Sequence, residues 1–224
     1  TTWTVDNDGK ADFDNIQDAV DAASDGDEII VMPGTYTYSG SQLIETMVVS
    51  IMDKQLWIHS SEGPEVTIID GENSSRGIFI SFFGGTNNTL IEGFTITRGY
   101  TNNSGGGIVC SSTEHAEIAP TITNCIFEYN NADAGGALHF LESDATLINC
   151  TISNNTAQLG GGISAVSSSV DVTECTITEN SATTFGGGLL ETGGHFILRY
   201  SMLCGNSPDQ FWGDIVDLGN NIIQ

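Results

Sequence analysis

Chemistry in this 224-residue chain would rest on carboxylates, because 29 Asp and Glu stand against 5 Lys and Arg, with 4 His and 5 Cys beside them. Asp171 and Glu174 lie close together in SVDVTECTITEN, with Glu179 following. A carboxyl pair is what general acid–base work employs. His139 in GGALHF shares its neighbourhood with Glu142 and Asp144, which makes it a candidate general base, although an isolated histidine in this setting is expected to face solvent. Asp6, Asp8 and Asp12 in DNDGKADFD place oxygens at alternate positions, as a calcium loop does; Lys10, however, stands where a third ligand belongs, and Gln17 replaces the closing Glu. A turn leading into a helix accounts for the same residues more simply.

The remaining reactive side chains are dispersed. His59, His115 and His195 stand apart, and no CxxC pair occurs, so neither zinc nor thioredoxin-like chemistry finds support. Three of the five cysteines repeat in one column, which is expected to be a ladder of reduced core thiols. The cations Lys10, Lys54, Arg76, Arg98 and Arg199 are scattered through a chain of net charge −24. Such a surface repels polyanions, which argues against nucleic-acid partners and anionic membranes. No apolar run of about 18 residues occurs, so no spanning helix and no membrane insertion are expected. Thr1 is not preceded by a charged and apolar leader, the form expected of a processed exported protein or of a piece cut from a longer one.

The elements that must position these groups show as a repeat. Aligning TITNCIFEYN, TLINCTISNN and VTECTITEN puts Cys125, Cys150 and Cys175 in one column, 25 residues apart. In register with it run Ile122, Leu147, Val172 and Leu198; Phe127, Ile152, Ile177 and Leu203; and Asn130, Asn155, Asn180 and Asn206. Ile91, Phe94, Ile96 and Gly99 form a weaker earlier copy. Glycine clusters at 135–136, 160–162 and 186–188 each precede an apolar residue: Leu138, Ile163 and Leu189. Short β-branched runs with glycine turns cannot bury a face alone, so neighbouring copies must stack. In a parallel coil, equivalent residues lie about 4.8 Å apart. The Asn column is therefore expected to form a hydrogen-bonded ladder at a turn.

Ahead of the repeats, Asp12 to Gly26 reads as an amphipathic helix. Asp14 is its expected cap, Ile16, Ala19, Val20 and Ala23 its apolar face, and Gly26 its end. The expected fold is an all-β, right-handed parallel β-helix of about 25-residue coils, with this helix covering the open end of the core. Residues 1–224 form a single domain: a helical cap over 12–26, irregular early coils over 27–120, and regular coils over 121–224.

NIQDAVDAASDGDEIIVMPGTY, VTIIDG and IEGFTIT resemble the N-terminal cap and first coils of the pectin-lyase-like superfamily. FEYN with GGAL, and ISNN with GGGI, resemble the FxxN and GGA(I/L/V) repeats of polymorphic outer-membrane-protein adhesins. The first resemblance implies a sugar-polymer substrate in a groove along the coils. A uronate lyase would need a basic cluster, and the dispersed cations form none. A glycosidase would need two carboxyl groups roughly 5 to 9.5 Å apart across the bond. Carboxylates are so frequent here that the nearness of Asp171 and Glu174 does not single them out.

The function expected from the sequence is that of a noncatalytic extracellular or cell-surface module, serving as adhesin, scaffold or self-assembling unit. Its ligand would be a carbohydrate or a protein surface, with calcium the one cofactor the residues suggest. The alternative is a polysaccharide lyase or glycoside hydrolase. The last coil, IVDLGNNIIQ, is not followed in this sequence by a helix or charged segment that would cover it, so the chain is expected to be either a fragment of a longer protein or a unit that stacks end to end through this coil.

Overall fold

Alternation of apolar and polar residues with period two lets each short strand put one face into a shared interior. In the computed structural model, which describes residues 1–40, 46–83, 86–113 and 117–224, these strands wind into a parallel solenoid. Among the described residues, sheet A has nine strands, sheet B eight and sheet C seven, and all pair in parallel with the equivalent strand of the next coil. One coil reads Thr121–Thr123 in sheet A, Ile126–Glu128 in sheet B and Leu138–Leu141 in sheet C. A smaller flanking layer of three strands, Asn131–Ala134, Thr156–Leu159 and Ser181–Phe185, sits between sheets B and C.

The predicted columns hold residue for residue. Ile122 pairs with Leu147, Leu147 with Val172, and Val172 with Leu198, all fully buried. Phe127, Ile152, Ile177 and Leu203 fill the sheet B side in the same way. Each such side chain contributes about 1.5–3 kcal/mol of burial. The sum over stacked coils offsets the ordering of a chain that has little helix.

Corners between the sheets are closed by polar ladders. Asn155 Oδ1 accepts from the Asn130 backbone N–H at 3.0 Å, and its Nδ2 donates to Phe127 O at 3.0 Å. The pattern repeats at Asn180 and ends where Asn206 donates to Gln210 Oε1 at 2.7 Å. The thiols of the Cys column do similar work at the next corner: Cys175 Sγ accepts from Cys150 N at 3.4 Å, and Ser201 Oγ accepts from Cys175 N at 3.1 Å. All five cysteines are free, and burial pushes the Cys125 thiol up to about 12.

The capping helix α1 spans Ile16–Ala22, shorter than the 12–26 expected. Residues before it are drawn into the first coil, where Phe13 N donates to Thr4 O at 3.1 Å. This shifts the cap from Asp14 to Asn15, whose Oδ1 accepts from Asp18 N at 2.9 Å. The apolar face is the expected one, with Ile16, Ala19, Val20 and Ala23 buried. The helix lies along the first strand of sheet C, Met47–Met52: Gln17 Oε1 accepts from Ser50 N at 2.6 Å, and Lys54 Nζ donates to Val20 O at 2.7 Å and Asp21 O at 2.9 Å. At the other end, strands Phe211–Trp212, Ile215–Asp217 and Ile222–Ile223 leave Trp212, Val216, Leu218 and Ile222 exposed.

Candidate functional site

Of the side chains nominated for chemistry, Asp171 and His139 are taken up by the fold. Asp171 points outward from sheet A and is held by Arg199 through Nη1. Glu174 and Glu179 occupy left-handed corner positions, with φ of 56° each, on either side of the strand Thr176–Thr178. Arg98 and Arg199 fall in different columns, as expected, and Arg98 is held by Asp70.

At the N-terminus, Asp8 is paired with Lys10, which holds its carboxyl below the usual range. Asp12 Oδ2 accepts from the hydroxyl and backbone N–H of Thr4 at 2.8 and 2.9 Å, and these bonds lower its pKa. Asp6 Oδ1 accepts from Asp8 N at 3.2 Å. Each of the three carboxylates is thus engaged with a different partner. Among the described residues, no group of three or more His, Cys, Asp or Glu is arranged to hold a metal.

His139 departs from its expected solvent-facing position: it is 7% exposed. The chain reverses at Gly135 and Gly160 after the flanking strands, and passes directly over the outer column of sheet C. A Cβ on Gly135 would lie 3.0 Å from His139 Cβ, and one on Gly160 would lie 2.9 Å from Ser164 Cβ. Burial pushes the imidazole down to about 4, with Arg76 adding to the effect. His115 lies outside the described residues.

A cleft of about 590 Å³ opens between α1, the strand Met47–Met52 and residues 38–40. Its size falls within the range of small-ligand sites. Met47, Val48, Met52 and Phe79 supply apolar surface, while Gln17, Asp18, Asp21 and Lys54 supply polar groups. Asp18 and Asp21 are each oriented from within the helix, by Asn15 Nδ2 at 2.7 Å and by Gln17 Nε2 at 2.7 Å. Three residues apart on one helix, they share a wall. Two carboxylates against the one ammonium of Lys54 leave the cleft a net negative charge, which favours a cation.

No motif connects residues 17–21 with 47–54, the two sides of this cleft, so nothing in the sequence signals it. Equally unsignalled is an aromatic patch on sheet A, where Trp57 is 41% exposed and stacks on His59 at 4.4 Å. Glu28 Oε1 meets His59 Nε2 at 3.1 Å, and Trp57 Nε1 donates to Glu92 Oε2 at 3.3 Å.

Three parallel sheets, coil-by-coil register and ladder-filled corners define a right-handed parallel β-helix. The chain belongs to the family described as the right handed beta helix region, which matches residues 58–206. Among solved structures it is similar to a pectin methylesterase from carrot, at 11% identity and a TM-score of 0.44, over 96% of this chain and 88% of that one. It is also similar to a pectin methylesterase from Aspergillus niger, at 12% identity and a TM-score of 0.34, over 98% and 89% of the two chains. No curated protein sequence matches it. At these values neither structural likeness speaks to the chemistry of this chain.

Proposed function

We propose that the protein is a noncatalytic extracellular or cell-surface β-helix module, an adhesin, scaffold or self-assembling unit that takes its ligand in the cleft beside α1. The observation that carries this reading is the commitment of two candidate reactive groups to the fold: Asp171 to Arg199 and His139 to a buried column. The ligand that fits the cleft carries a positive charge on an apolar stem, matching Asp18 and Asp21 above Met47, Met52 and Phe79. Amino sugars and basic protein side chains both meet that description.

A polysaccharide-active enzyme is the second reading, favoured by the presence of two carboxylates in one cleft. Incubation with a panel of neutral, uronate and amino-sugar polymers separates the two. The expected result is no new reducing end and no unsaturated uronate, with binding of cationic members weakened about ten-fold, or 1.4 kcal/mol, by Asp18→Asn with Asp21→Asn. Turnover that disappears in Asp171→Asn, Glu174→Gln or His139→Gln would overturn the noncatalytic reading.

A further inference from the structure

His139 and Ser164 are partners across adjacent strands of sheet C, on its outer face. They lie in one column with Val109 on one side and Leu190 on the other, all buried under the turns that follow the flanking strands. His139 Nδ1 and Ser164 Oγ are both buried without a hydrogen-bond partner. Two orphaned polar atoms in an apolar column are rare in native proteins, and each carries a desolvation cost. A neutral imidazole limits that cost, since it keeps an acceptor nitrogen and brings no charge. An imidazolium removes the acceptor and brings a charge into the same column.

The surrounding charges offer that cation no compensation. Arg76, on the strand Arg76–Phe83, is itself positive and disfavours protonation of His139. On the flanking layer, Asp133 is turned to Gln158, whose Nε2 donates to Oδ1 at 2.9 Å. Beyond the strand Leu138–Leu141, Glu142 stands at a left-handed corner, and Asp144 Oδ1 accepts from Ser169 N at 2.7 Å. None of these carboxylates acts on the ring.

The flanking layer buries smaller side chains than the main sheets. Its buried residues are Ala132, Ala157 and Ala182, against Ile, Leu and Phe in the main sheets, and its register slips between Thr156–Leu159 and Ser181–Phe185. It is therefore the part that can open while the core stays closed.

We propose that the flanking strands 131–134, 156–159 and 181–185, together with the glycine turns that follow them over the outer column of sheet C, form an acid-releasable cover, held shut by neutral His139 and lifted from sheet C when that ring takes up a proton. Opening lets the imidazolium reach water, so proton uptake favours the open state. The proposal is independent of the ligand reading above.

Hydrogen exchange tests it. Protection factors of the three flanking strands should fall at least about ten-fold relative to sheet A when pH drops from about 7 to about 4. His139→Leu, which fills the column with an apolar side chain, should remove that fall. Unchanged protection in the wild type, or an equal fall in His139→Leu, would overturn the proposal. If His139→Leu does not fold, the imidazole resonance of His139 in the wild type decides: titration in the ordinary histidine range sinks the idea, and titration shifted well below it, together with loss of flanking-layer protection over the same interval, upholds it.

Discussion

Asn155 shows how a single side chain can hold a corner. Its Oδ1 takes the backbone N–H and the Nδ2 of Asn130, and its own Nδ2 donates to Phe127 O and Ser153 O. Truncation to Ala leaves at least one buried N–H and one carbonyl unpaired inside a ladder. The expected loss is about 3 kcal/mol, read as a shift in the urea midpoint. A loss below about 1 kcal/mol would mean the ladder decorates the corner without holding it. The Asn column was legible in the sequence because a ladder demands the same residue in every coil. His139 was not: its burial comes from the passage of Gly135 overhead, and no periodicity reports which side of a strand a neighbouring turn will cover.

At the scale of elements, the glycine clusters are where two chain segments meet with no room for a side chain. Gly160 has φ +62°, and a Cβ there would lie 2.6 Å from Ile163 O. Gly160→Ala should therefore cost about 2 kcal/mol or more, combining the left-handed backbone with the close approach. A melting temperature equal to that of the wild type would contradict this. Helix α1 follows a different rule. Its apolar face was readable from the i, i+3, i+4, i+7 spacing of Ile16, Ala19, Val20 and Ala23, whereas its ends were not. Phe13 is taken by the bond to Thr4, so the helix starts later than its capping residues suggest.

For the whole molecule, two long-range properties oppose each other. A net charge of −24 pushes copies apart, while Trp212, Val216, Leu218 and Ile222 form an exposed apolar end. Association through that end is thus expected to depend on screening. At about 0.01 M salt, where repulsion reaches about 30 Å, the protein should sediment as a monomer. At about 1 M salt, where it reaches about 3 Å, larger species should appear and should be lost in Leu218→Ser with Ile222→Ser. A monomer throughout would remove the last coil as an assembly surface.

The sequence by itself determined the solenoid, its coil length, the register of its columns and the residue types at its corners. These are properties that recur at fixed spacing, because each coil must satisfy the one before it. The tertiary structure alone decided which groups come together from distant stretches. It placed Asp18 and Asp21 in one cleft with Met47, Met52 and Phe79, paired Asp171 with Arg199 one coil away, and carried the Gly135 and Gly160 turns over His139 and Ser164. Contacts of that kind depend on how helix and turns lie across the coils, which is settled by packing in three dimensions and leaves no period in the chain.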